Sequence, residues 1–293
     1  MRSVLVVGGS GYLGQSLGRT LGSRGISTYN SKPVPNGLHF DASETRLRDL
    51  ISEMSIEPSH AVVTYGAINP EFCARDPVGS AQINVHSVIE AMRDAIDAGI
   101  VPVFLSTDYV FDGTRGARNE TESTCPTTQY GAQKVAVEEW LHNQNAPWII
   151  ARASKLVSGA RDTHSVLGQW VNDIQDGREM RCATDQVFSP ALVDDVARSI
   201  VQLIDHAAIG IFHVAGDEAM SRYDLAKTLV ETVEDLTPTL SINLTAAKIH
   251  DFPFLEKRPL DTSLDTAKLR ALDITSFRSM KDLCTDIARE HFS

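Results

Sequence analysis

Short apolar runs alternate with longer amphipathic stretches through the first half of the chain. "SVLVVG" (Ser3 to Gly8), "HAVVTYGA" (His60 to Ala67), "VPVFLST" (Val101 to Thr107) and "PWIIARAS" (Pro147 to Ser154) are rich in β-branched residues and bounded by Gly or Pro, the mark of strands buried on both faces. Apolar positions return at helical spacing over Tyr12 to Ser23, Pro77 to Ala98 and Tyr130 to Asn143. This alternation predicts an α/β fold, a Rossmann-type doubly wound parallel sheet over residues 1–155. Beyond it the pattern weakens. Helices are expected at Val166 to Asp176, Val193 to Asp205, Tyr223 to Glu234 and Met280 to Glu290, with a short strand in "GIFHVA" (Gly210 to Ala215). Residues 156–293 read as a smaller C-terminal α/β substrate domain, part of which, within 181–214, packs back on the first.

Composition narrows the partners. The chain has 293 residues, with Lys+Arg 27 against Asp+Glu 38 and a formal charge of −11, a field that repels phosphate backbones and anionic lipid. Neither nucleic acid nor a membrane is therefore expected as a partner, and a homodimer is left open. No apolar run approaches the length of a membrane span, and the N-terminal run is too short for a secretion signal. Cys73, Cys125, Cys182 and Cys284 are far apart without C-x-x-C spacing, and the histidines show no ligand spacing, so no metal site and no disulfide framework are expected. A reducing cytoplasm fits this usage.

The first strand runs into "GGSGYLG", where Gly8, Gly11 and Gly14 are spaced G-x-x-G-x-x-G and Tyr12 and Leu13 open a helix. A glycine turn between strand and helix lets backbone N–H groups approach a dinucleotide pyrophosphate. A free ribose 2′-OH usually meets an Asp or Glu some 20 residues later. Here "ISTYNSK" (Ile26 to Lys32) ends in Asn30, Ser31 and Lys32, and the first acidic residue is Asp41. These groups suit a 2′-phosphate, so NADP(H) is favoured over NAD(H), with Asp41 at the adenine edge. Ala67, ending the "HAVVTYGA" run, is assigned to the same cofactor.

"QYGAQK" places Tyr130 and Lys134 four residues apart, on one face of a helix, and "LSTDY" brings Thr107 to the carboxyl edge of the sheet, where open α/β folds bind ligands. An ammonium beside a phenol favours the phenolate, so the pair is expected to draw Tyr130 from a pKa of about 10 towards neutrality. Tyr130 is then the acid–base group. Thr107 would orient a substrate oxygen, and Lys134 would hold ribose hydroxyls.

Glycine turn, Thr and Tyr-x-x-x-Lys in this order resemble the extended short-chain dehydrogenase/reductases. "STDYVFDGTRG" (Ser106 to Gly116), "DQVFSPALVDDVA" (Asp185 to Ala197), "GIFHVAGDEAMSRYDLA" (Gly210 to Ala226) and "RPLDTSLDTAKL" (Arg258 to Leu269) narrow the resemblance to the dTDP-4-dehydrorhamnose reductase family, across almost the whole chain. That resemblance implies NAD(P)H-dependent reduction of a nucleoside-diphosphate 4-keto sugar, with Asp108 and Tyr109 at the sugar ring. Arg258 is a candidate for the diphosphate, because a guanidinium suits phosphate oxygens. Three positions depart from the family pattern. "RASK" puts Lys155 where an aromatic wall is usual, "DQVFSPA" puts Phe188 where glycine is common, and Thr64 stands for an asparagine. Lys155 suggests a more polar or more anionic substrate group, and Phe188 an aromatic contact that has moved. Sugar-nucleotide 4,6-dehydratases need an Asp-Glu pair after the Thr, and here Asp108 is followed by Tyr109. Epimerisation through a 4-keto intermediate stays open. So does a non-catalytic NADP-binding regulatory role, since the β subunit of methionine adenosyltransferase also resembles this family.

Overall fold

In the computed structural model, which describes residues 2–159, 165–275 and 277–293, the apolar runs become parallel strands. The first half supplies β1 (Val4–Val7), β2 (Gly25–Tyr29), β3 (Leu38–His39), β4 (His60–Val63), β5 (Val101–Thr107) and β6 (Ile149–Ala153). The second half supplies β7 (Leu156–Val157), β8 (Met180–Ala183), β9 (Val187–Phe188), β10 (Ala191–Leu192), β11 (Gly210–Val214), β12 (Met220–Ser221) and β13 (Leu244–Ala247). The central sheet has seven strands in the order β11-β6-β5-β4-β1-β2-β3, all parallel. The chain works outward from β1 to β3, then returns to the other side of β1 with β4. That reversal opens a crevice at the carboxyl ends of β1 and β4.

Successive strand residues point to opposite faces. Val4 and Val6 pack into one layer with Leu13 and Leu17 of the helix Tyr12–Leu21 and with Val196 and Ile200 of the helix Val193–Asp205. Leu5 and Val7 pack into the opposite layer with Met92, Val137 and Leu141. Both faces are therefore covered, which is why β1, β4 and β6 are buried at every residue.

A second core lies under the helices Val166–Gln175, Arg222–Leu236 and Met280–Phe292, with Met180, Cys182 and Phe188 among its members. Three two-stranded ladders, β7 with β10, β8 with β13 and β9 with β12, frame it. β11 and the helix Val193–Asp205 come from the second half of the chain yet belong to the first core.

One expected helix is broken. Pro77 to Ala98 divides into Pro77–Ala81, a π-helical stretch Gln82–Ser87 and Val88–Asp97. Asn84 in the wide turn is buried and bonds the Ala67 N–H at 2.7 Å, the Ala67 carbonyl at 3.0 Å and the Gln133 side chain at 2.7 Å. Inserted π turns of this kind recur at functional sites. The helices Leu47–Ser52 and Pro70–Arg75 are too short to leave a periodic signature.

Candidate active site

The glycine turn is shaped by close backbone approach. Gly8 has φ 98°, a conformation that costs glycine nothing, and its N–H donates to Thr28 Oγ1 at 3.1 Å. A Cβ on Gly14 would stand 2.2 Å from the Gly8 carbonyl oxygen, so only glycine lets the helix close on the strand. Thr64, the departure at the end of β4, donates to the Val7 and Gly8 carbonyls at 3.1 and 3.2 Å and so secures the same turn. Tyr12 and Leu13 turn their side chains into the first core. Gly11 caps the helix without a side-chain hydrogen bond. The first turn of a helix has no intrahelical acceptor for its N–H groups, and a positive helix end suits an anion.

Asn30, Ser31 and Lys32 are exposed immediately beyond β2, and Asp41 lies two residues beyond β3. The Ser43 hydroxyl and N–H, at 2.6 and 2.9 Å, and the Asn30 side chain hold the Asp41 carboxyl below its usual range. Ala67 is fixed by Asn84 past the end of β4.

Thr107, Tyr130 and Lys134 come together. Thr107 ends β5, is 7% exposed, donates to Asp108 Oδ1 at 3.0 Å and lies within electrostatic reach of the Tyr130 hydroxyl. Tyr130 sits in the first turn of the helix Gln129–His142, whose N-terminus is held by the Thr128 hydroxyl on the Gly131 N–H at 3.1 Å and by the Glu256 carboxylate on the Gln129 N–H at 3.0 Å. Gly131 allows the close seat: a Cβ there would stand 2.2 Å from the Tyr109 carbonyl oxygen. Lys134 is buried. Its Nζ donates to the Leu105 carbonyl at 2.9 Å, 4.7 Å from the Phe104 ring centroid and 5.9 Å from that of Tyr130. Burial lowers its pKa to about 8.

The phenol does not titrate as the spacing suggested. Burial pushes the Tyr130 pKa up, with Thr107 opposing the rise and Asp108 adding to it. Lys134 bonds a carbonyl instead of the phenol. Tyr130 is therefore protonated at neutral pH, the state required of a proton donor.

Behind Lys134 lies a buried polar chain that the sequence pattern did not disclose. Glu138, one turn further along the helix, pairs with Arg152 at 2.6 Å and accepts from the Ser106 hydroxyl. Arg152 in turn approaches His213 Nε2 at 3.5 Å. An arginine inside the apolar run "PWIIARAS" was the available signal, since a buried guanidinium requires a partner.

On the substrate side, Asp108 accepts from Thr262 at 2.8 Å and Ser154 at 3.1 Å besides Thr107, and burial raises its pKa. The Tyr109 ring meets that of Tyr130 edge-on at 6.2 Å, and its hydroxyl accepts from Gln186 at 3.4 Å. Lys155 follows β6 and lies within electrostatic reach of Arg222 and Asp108. Phe188 is buried in the second core with the Arg222 guanidinium 5.9 Å above its ring, so the arginine covers this aromatic. Arg258 is 6% exposed, pairs with Glu71, and lies 4.7 Å from the Phe254 ring centroid, while its Nη1 is buried without a partner. Gln186 and Arg222 were not foreseen.

A doubly wound parallel sheet with a glycine turn at its switch point and a Thr, Tyr and Lys gathered at its carboxyl edge is the architecture of an extended short-chain dehydrogenase/reductase. The sequence model of the RmlD substrate binding domain matches residues 1–291, and the chain belongs to that family. It is 27% identical over 288 residues to the dTDP-4-dehydrorhamnose reductase of Aggregatibacter actinomycetemcomitans, covering 92% of both chains. It is also 25% identical over 298 residues to the methionine adenosyltransferase 2 subunit beta of Pongo abelii, covering 94% of this chain and 85% of that one. The crystal structure of dTDP-4-dehydrorhamnose reductase from Bacillus anthracis str. Ames in complex with NADP superposes with a TM-score of 0.84 at 21% identity, covering 99% of this chain and 100% of that one.

Proposed function

We propose that this protein is an NAD(P)H-dependent reductase of a nucleoside-diphosphate 4-keto sugar that works with NADP(H) in preference to NAD(H). The observation that carries the reading is the gathering of Thr107, at the end of β5, with Tyr130, which lies within its electrostatic reach, and with the Lys134 ammonium buried one helical turn beyond, 5.9 Å from the Tyr130 ring centroid. The turn at Gly8 and Gly14 fits a dinucleotide, because the absence of side chains there lets the helix N-terminus close on the end of β1, where backbone N–H groups can meet a pyrophosphate. Bound there, the reduced nicotinamide supplies a hydride to the keto carbon.

The chain's own residues do the rest. Tyr130 directs its hydroxyl at the carbonyl oxygen, as does Thr107 once its O–H turns from Asp108 to the substrate, and Tyr130 delivers its proton as negative charge develops there. Lys134 lies close enough to favour the phenolate left behind and binds the ribose hydroxyls. Asn30, Ser31 and Lys32 meet a 2′-phosphate. Arg258 turns its unpartnered nitrogen to the diphosphate, and Asp108 and Tyr109 border the sugar. Asp108 is already bonded to three hydroxyls, so it holds the pocket together and is a poor base for water elimination.

The test is to follow the absorbance of NADPH and of NADH in separate assays of the purified protein against nucleotide-linked 4-keto sugars. Oxidation of NADPH, faster than of NADH, is expected with at least one sugar. Tight binding of NADP(H) with no turnover on any sugar would favour a regulatory protein. Interconversion of sugar epimers without net cofactor consumption would favour an epimerase.

A further inference from the structure

Two cations, Lys155 and Arg222, stand beside the reacting end of the site outside any ion pair among the described residues. Lys155 begins two residues past Ala153, the register partner of Thr107, and the intervening Ser154 donates to Asp108. Arg222 opens the helix Arg222–Leu236 and donates to the neutral Gln186 amide at 3.2 Å; Gln186 in turn donates to the Tyr109 hydroxyl. Lys155 is exposed at the edge of the site, and desolvation first and the like charge of Arg222 second hold its ammonium below its usual range, with Asp108 opposing. Among the described residues, neither forms an ion pair. Most arginines of this acidic chain do, including Arg258 with Glu71 and Arg152 with Glu138. Asp108, the carboxyl within electrostatic reach of Lys155, has both oxygens committed to hydroxyls.

We propose that Lys155 and Arg222 together bind an anionic substituent, a carboxylate, carried by the sugar near the carbon that is reduced. The proposal rests on the reductase reading, because that reading sets the sugar's orientation. In a pyranose the 4-keto carbon and the anomeric carbon that bears the diphosphate lie at opposite ends of the ring. With the keto oxygen at Thr107 and Tyr130, the diphosphate is directed away from them, whereas a ring substituent next to the keto carbon lies beside Lys155 and Arg222. A carboxylate accepts from a guanidinium in a planar, charge-assisted arrangement, with the Phe188 ring behind the arginine as a fixed platform.

Titration calorimetry in the presence of NADP tests this with UDP-glucuronate, UDP-glucose and UDP, and with the thymidine counterparts of each. The wild-type protein is expected to bind the glucuronate conjugate about 10-fold or more tightly than the glucose conjugate. Lys155→Met and Arg222→Gln should each reduce that preference to about twofold or less while leaving UDP affinity unchanged, and Lys155→Arg should keep it. Equal wild-type affinities for the two conjugates would overturn the proposal, as would a preference that survives in both neutral variants. A loss of UDP affinity in step with the conjugates would assign the cations to the diphosphate instead. NADP affinity of each variant reports its folding; should both neutral variants fail to bind NADP, the wild-type preference and Lys155→Arg decide. Failure of the reductase reading is separately visible, as absence of NADPH oxidation with every 4-keto sugar nucleotide, neutral or carboxylate-bearing, whatever the binding preference.

Discussion

Gly131 and Lys134 show how much of the site depends on single atoms. A Cβ on Gly131 would press into the Tyr109 carbonyl, so Gly131→Ala must move the helix start that carries Tyr130. A displacement of about 1 Å at a reacting group costs about 100-fold in rate, and a drop of that order in kcat with little change in NADPH affinity is expected from steady-state kinetics. Lys134 contributes to stability with the opposite sign from a surface lysine. Its folded pKa of about 8 lies below the ordinary lysine value of 10.5, so between those values the unfolded chain holds a proton that the native protein has shed. Stability of the wild type should therefore rise relative to Lys134→Met as pH climbs from about 8 to about 10, by up to about 3 kcal/mol, measured by denaturant unfolding at each pH. The trio itself was legible in the sequence because Tyr-x-x-x-Lys is a local spacing and Thr107 ends an obvious strand. The protonation state of Tyr130 was not, since it depends on burial by residues distant in sequence and on Lys134 choosing the Leu105 carbonyl.

The helix Gln129–His142 carries Tyr130, Lys134 and Glu138 at four-residue intervals along one face, the outermost against Thr107 and the innermost against Arg152. The Glu138–Arg152 pair is buried on both sides, and removing one partner of such a pair costs about 3–5 kcal/mol because the other charge is left unpaired. Arg152→Met should lower stability to denaturant by that order, and it should reduce turnover as well by loosening the helix behind Lys134. Strands and long helices were readable from hydrophobic contrast alone, as in Val101–Thr107 and Val193–Asp205. The π stretch Gln82–Ser87 was not readable. Its wide turn is set by Asn84 bonding to Ala67 and Gln133, contacts made across three elements, whereas the residues themselves continue a helical pattern. Arg222 was hidden for a similar reason: at a helix start it looks like ordinary surface charge until Gln186 and Phe188 meet it.

For the molecule as a whole, the two halves are interwoven: β11 completes the sheet that begins with β1, and His213 within it closes the polar chain through Arg152. His213 is fully buried, and burial first and Arg152 second lower its pKa to about 4; burial likewise lowers His60 in β4 to about 4. Both sit well below the usual value of about 6.5. Between pH 6.5 and 4 the unfolded chain takes up protons that the native one refuses, so stability falls as pH falls through that window, by up to about 3 kcal/mol for each histidine. Replacing His213 by Gln should flatten the slope of denaturation midpoint against pH over that range. The central claim, that Tyr130 donates the proton in a nicotinamide-dependent ketone reduction, is tested most directly by single-turnover kinetics. Wild-type protein and Tyr130→Phe are each preloaded with NADPH and mixed with a 4-keto sugar nucleotide that the wild type reduces. Unchanged NADPH affinity with a rate lower by about 100-fold or more is the predicted result, and a Tyr130→Phe rate equal to the wild type would contradict the account.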